Sequence, residues 1–140
     1  MIRHKLFYTL LVFTLAILPS CNAQPTPEYV PEGPERDSIL ADSNGFARNL
    51  QEGMEKKDFE LFSRNFDNGM LNAVTNTTFE EIYKRYENSG PRSGLDLINV
   101  QVAGDYYAVR YKVTYAKKVV IMRVVVTKTT PRKISGLWFE

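Results

Sequence analysis

The stretch YYAVRYKVTYAKKVVIMRVVV, residues 106–126, decides the fold. Tyr107, Val109, Tyr111, Val113 and Tyr115 alternate strictly with Ala108, Arg110, Lys112 and Thr114. A period of two is that of a β-strand, and here it predicts one face that is buried or lines a cleft. Lys117-Lys118 turns the chain. VVIMRVVV (119–126) is then apolar on both faces apart from Arg123, which predicts a central strand covered on both sides. Residues 95–102 form a strand with an uneven pattern, the mark of a bulge or bend. Ala103-Gly104-Asp105 is a turn between it and the tyrosine strand. A further turn at 131–133 leads to the last strand, ISGLWFE.

Upstream the period changes to that of a helix. Ile39, Phe46, Leu50 and Met54 share a face that Ala47 and Gly53 fill, and Asp37 or Ser38 caps the start. Asp58 caps a short helix carrying Phe59, Leu61, Phe62 and Phe66. Asn68-Gly69 marks a turn or helix junction. Thr77-x-x-Glu80 has capping-box spacing ahead of a stripe of Phe79, Ile82, Tyr83 and Tyr86, which Gly90-Pro91 ends. Helices followed by a four-stranded antiparallel meander define an α+β domain, with N-terminal helices packed on one face of a curved sheet. It is expected over residues 36–140.

The chain opens with Arg3, His4 and Lys5, an apolar run over residues 6–18, and Pro19-Ser20-Cys21. That order is the order of a secretory signal, and the run is shorter than the ~20 residues that span a bilayer. Leu18-Pro19-Ser20-Cys21 resembles the lipobox of prokaryotic lipoproteins. The resemblance implies a signal over residues 1–20, cleavage before Cys21 and acylation of its sulfur, with Pro19 departing from the usual pattern. More than one acyl chain anchors firmly, so the expected location is the extracytoplasmic face of a prokaryotic membrane, at the cell surface or outer membrane. A plain signal cut near Ala23 is the alternative. Residues 21–35, rich in Pro, Glu and small polar side chains, read as a disordered tether.

Removing Arg3 and Lys5 from the 18 basic residues leaves 16, equal to the 16 acidic ones. A neutral chain gives no electrostatic footprint for nucleic acid. The one cysteine leaves no disulfide to staple the domain.

DFELFSRNFDNGM (58–70), FEEIYKRYENSG (79–90) and KISGLWFE (133–140) resemble the short exported bacterial and archaeal domains grouped as domain of unknown function 3887. The closing Ser135 to Phe139 segment is similar to archaeal methanogen members. The likeness spans nearly all of residues 37–140, and its motifs concern the fold. It implies a nuclear transport factor 2-like, cystatin-like roll, in which a bent sheet wraps helices around a conical pocket. Some proteins of that fold are enzymes and many only bind ligands or partners, so fold alone assigns no reaction.

The only histidine, His4, lies in the signal. With Cys21 acylated, the mature chain has neither imidazole nor free thiol, which excludes Ser-His triads, Cys–His pairs and the usual zinc sites. No metal or cofactor is expected. An isomerase built from a carboxylate and a tyrosine remains open, with Asp96 and Asp105 near strand ends, although turn aspartates commonly serve only the turn. Tyr107, Tyr111 and Tyr115 admit two readings: the lining of a pocket for a small, partly polar ligand, or a packed core with hydroxyls at the surface. Trp138 is a pocket residue or core. Arg123 holds a buried carboxylate ligand or pairs with a nearby Glu. Asn76-Thr77-Thr78 is a glycosylation sequon or a capping cluster. The face Val120, Met122, Val124 and Val126 needs a cover, from the helices or from a second copy in a homodimer through the sheet, as the roll resemblance implies.

These readings converge on a membrane-anchored, non-enzymatic roll domain that binds a small ligand or a protein partner. The alternatives are an interaction lipoprotein with a filled pocket and the histidine-independent isomerase.

Overall fold

A computed structural model describes residues 26–140; the expected signal and Cys21 lie outside them. Among the described residues four helices precede four strands: α1 (Pro34–Lys56), α2 (Phe59–Ser63), α3 (Asn68–Ala73), α4 (Asn76–Tyr86), β1 (Arg92–Ala103), β2 (Tyr106–Tyr115), β3 (Val119–Thr127) and β4 (Ile134–Phe139). The strands form one antiparallel sheet in the order β1-β2-β3-β4, with helices on one face. This is the α+β arrangement expected. No described helix is long and apolar enough to cross a membrane.

The inner face of the sheet is built from aligned rows. Val100, Val109, Val124 and Leu137 form one, and Leu97, Tyr111, Met122 and Phe139 another. Val109, Val113, Met122, Val124, Val126 and Ile134 have no exposed surface. Burying each such side chain is worth about 1.5–3 kcal/mol. The β1 pattern is uneven because its register slips between Arg92 and Gly94 and again between Leu97 and Asn99. The expectation that β3 is covered on both sides needs correction. Val120, Met122, Val124 and Val126 lie under the helices, whereas Val119 is exposed and Ile121, Arg123 and Val125 are half-buried on the outer face.

Both sheet edges are occupied. Val30 N–H donates to Val100 O and Val102 N–H to Glu28 O, each at 2.9 Å, so residues 28–30 lie along β1. Val30 is buried in the core. The second half of the expected tether, from Glu28 on, is therefore part of the folded body, because an unpaired β1 edge and an apolar Val30 satisfy each other. On the other side Phe66 bridges Ile134, with Ile134 N–H donating to Asn65 O at 2.8 Å and Asp67 N–H to Ile134 O at 2.9 Å.

Helix boundaries follow local chemistry that differs in places from the expected caps. Pro34 begins α1 one turn before Asp37, since a proline loses nothing at a first helical position. Asp58 caps α2 by accepting from Leu61 N–H at 3.0 Å, as expected. Phe66 lies beyond α2, and of the turn or helix junction expected at Asn68-Gly69 the junction forms: the pair opens α3, with Asp67 accepting from Met70 N–H at 2.8 Å. Thr75, not Thr77, caps α4 through Thr78 N–H. The α1–α2 corner needs Gly53: a Cβ there would lie 2.5 Å from Phe62 N and 2.7 Å from Phe62 Cα.

Candidate functional site

The tyrosine ladder of β2 is a set of ties to α1. Tyr107 Oη donates to Glu35 Oε1 at 2.6 Å, Tyr111 Oη to Asn44 Oδ1 at 3.0 Å and Ser43 Oγ at 3.2 Å, and Tyr115 Oη to Gln51 Oε1 at 2.6 Å. The match is metric. Every fourth residue of a strand advances about 13 Å, and every eighth residue of a helix about 12 Å. Three successive tyrosines therefore meet three successive polar positions on a helix running alongside. Gln51 closes the network by donating Nε2 to Met122 Sδ at 3.2 Å.

Burial pushes the Tyr111 and Tyr115 hydroxyls up to about 12. Tyr107 is also raised, chiefly by its hydrogen bond to the Glu35 carboxylate. Of the two readings of the ladder, the packed core holds for Tyr107 and Tyr111, which line neither of the two principal clefts. Tyr115 reaches one of them.

That cleft, of about 430 Å3, lies between the C-terminal ends of α1 and α4 and the start of β1. Met54 forms its floor with Tyr115; Tyr83 and Tyr86 come from α4; Glu55, Glu87 and Arg92 complete the wall. Arg92 Nε donates to Glu55 Oε1 at 2.6 Å, which neutralises both charges. Glu87 has no ion-pair partner among the described residues. Burial raises Tyr86 as well. Two of these rings already carry cations of the chain itself: Lys118 Nζ sits 4.0 Å from the Tyr86 centroid and Lys57 Nζ 5.1 Å from that of Tyr83.

A second cleft, about 420 Å3, lies on the other side of α4, lined among others by Met70, Ile82, Tyr86, Leu137 and Trp138. Tyr86 is common to both. It packs 5.2 Å from Phe139 and 6.1 Å from Tyr115, so one ring divides the space beneath α4.

Of the remaining expected residues only Trp138 borders a cleft, the second one. Arg123 is on the outer face, 3.4 Å from Glu140 Oε1, with its guanidinium 4.5 Å over Trp138. It takes the Glu-pairing role and lines neither cleft. Trp138 is half-exposed and lies flat on Gly136, where a Cβ would collide with its ring. Asp96 is on the outer face 3.6 Å from Lys112 Nζ, and Asp105 is exposed in the β1–β2 turn. Neither comes within hydrogen-bond reach of a ladder tyrosine, so the arrangement proposed for an isomerase does not form from them. Asn76 is exposed in the first turn of α4. Of the two covers expected for Val120, Met122, Val124 and Val126, the helices supply it, and these side chains are buried within the one chain. Among the described residues no group of three or more His, Cys, Asp or Glu side chains is placed to hold a metal ion.

Tyr83, Tyr86, Glu55, Glu87 and Arg92 were not singled out by the sequence as site residues. The available signal was the use of tyrosine, rather than Leu or Phe, at two positions of the α4 stripe. A phenol on an apolar stripe marks a boundary where ring burial ends and water begins.

The chain matches no protein-family model, no curated protein and no solved structure.

Proposed function

We propose that this protein is a lipid-anchored extracytoplasmic binding domain that takes a small organic cation in the cleft beneath α4, not in the interior of a roll. Anchoring rests on the lipobox-like residues ending at Cys21, and kinship with the domain of unknown function 3887 family rests on the sequence segments quoted above. The observation that carries the binding reading is the cleft of Tyr83, Tyr86 and Tyr115. It joins three tyrosine rings to one carboxylate, Glu87, that makes no direct ion pair among the described residues, and a bound cation competes with Lys57 and Lys118 for the Tyr83 and Tyr86 faces. Ring faces and an unpaired carboxylate attract the same charge. The apolar bodies of Met54 and the tyrosines suit the hydrocarbon part of such a ligand.

Native mass spectrometry of the mature domain purified from membranes tests this. A co-purifying amine or quaternary ammonium compound, lost on replacing Glu87 with Gln and Tyr86 with Ala, is the expected result. A domain that stays empty across a panel of such compounds contradicts it.

A second reading, an interaction lipoprotein, is favoured by the outer sheet face, where Tyr106, Val119 and Trp138 are exposed. Binding of a protein there leaves the cleft residues unchanged.

A further inference from the structure

The docked segment at residues 28–30 fixes more than a sheet edge. Glu28 and Val30 bond to Val102 and Val100, near the end of β1 that leads into the Gly104-Asp105 turn. Three other parts of the chain gather at that end: the start of α1, tied there by Glu35 to Tyr107; the start of β2; and the β3–β4 loop, whose Arg132 bonds Asp42 at 2.9 Å and Ser38 at 3.3 Å. The cleft lies at the opposite end, beside Arg92 and Tyr115.

We infer that the end carrying Tyr29, Tyr106, Lys128 and Lys133 rests on the lipid surface and that the α4 cleft opens away from it. The inference rests on anchoring at Cys21. Chain length supplies the first argument. Seven steps separate Cys21 from Glu28, so even fully extended they reach about 25 Å. From Tyr107, opposite Val102, to Tyr115 the strand runs about 26 Å. A domain standing on its cleft end would hold Glu28 at or beyond the limit of its own tether.

The surface chemistry supplies the second argument. Tyr29 is 54% and Tyr106 41% exposed. Tyrosine is enriched at membrane interfaces because its ring and hydroxyl suit the boundary between chain region and water. Lys128 and Lys133 are exposed beside them and suit lipid phosphates. Asp105, Glu28, Glu32, Glu35 and Asp37 occupy the same end, so the contact is made by rings and local Lys–phosphate pairs rather than by a net positive field.

The test uses the mature chain with Cys21 joined to a maleimide-headgroup lipid, so that orientation is read whether or not the cell acylates it. The single tryptophan is first removed by Trp138→Phe. A reporter is then placed at the near end by Tyr106→Trp, or at the far end by Val119→Trp. In phosphatidylcholine vesicles carrying brominated acyl chains, the position-106 reporter should be quenched several-fold more than the position-119 reporter. Equal quenching, or stronger quenching at 119, overturns the orientation. Acylation in the cell is tested apart from this, by intact mass of the membrane-extracted protein.

Discussion

Tyr115 Oη donates to Gln51 Oε1 at 2.6 Å, and Gln51 has no exposed surface. The contact closes the three-rung junction between β2 and α1 at the end where the cleft begins. A glutamine without solvent must find its partners inside the protein, and here they are a phenol and a thioether. Removing the phenol oxygen by Tyr115→Phe leaves a buried acceptor unpaired. It should lower stability in urea by about 1–3 kcal/mol. The Gln51→Leu and Tyr115→Phe pair, read as a double-mutant cycle, should show non-additive losses; additive ones would mean that the bond contributes nothing of its own.

Alkaline pH should unfold the domain through the same ladder. Tyr111 and Tyr115 are raised to about 12 in the folded state, against about 10 for an exposed tyrosine. The unfolded chain therefore releases these protons first. The stability that the two groups contribute is complete below about pH 10 and is lost as pH rises towards 12. Tyrosinate absorbance and circular dichroism should show their ionisation coinciding with unfolding. Two ladder phenols titrating near 10 in a still-folded protein would contradict the packing described.

Gly53 and Gly45 both lie in α1 and should respond to alanine in opposite directions. At Gly53 the new methyl meets the Phe62 backbone, which cannot swing aside. Gly53→Ala should cost about 1–3 kcal/mol or more as an overpacked contact. At Gly45 the nearest atom is Arg48 Nη2 at 4.0 Å, the tip of a flexible side chain. Gly45→Ala should stabilise by about 0.5–1 kcal/mol through helix propensity. Thermal midpoints of the two variants check the contrast.

Glu87 should matter for the cleft and little for the fold. It is exposed, pairs with no described cation and contributes its backbone N–H to Tyr83 O at the end of α4. Glu87→Gln should leave the melting temperature within about 2 °C, since surface changes stay within about 0.5 kcal/mol. It should weaken a bound organic cation several-fold by calorimetry.

Much of this was legible from periodicity. The β2 alternation located five of the six buried residues from Tyr107 to Tyr115, missing only the small Ala108 on the other face, and the broken pattern of β1 announced its bulges. Chemistry between distant segments was not legible. Val30 looked like an isolated apolar residue in a proline-rich tether because its partner is an edge of β1 some seventy residues away. Apolar side chains on both faces of β3 suggested two covers. Arg123 stacking on Trp138 and pairing with Glu140 furnishes part of the outer face instead. The ladder hydroxyls could be counted in the sequence, but their engagement by α1 depends on matching helix rise to strand rise. The cleft escaped notice for the same reason: its walls come from the ends of three elements that meet only in the folded chain.

The most direct measurement is an NMR titration of the chain from Cys21 onward, with tyrosine rings selectively labelled, against choline-like and aryl-ammonium compounds. Saturable shifts at Tyr83, Tyr86 and Tyr115, with Tyr107 and Tyr111 unmoved, are the predicted result. Shifts centred on Tyr107 and Tyr111, or none at any tyrosine, would contradict a binding cleft beneath α4.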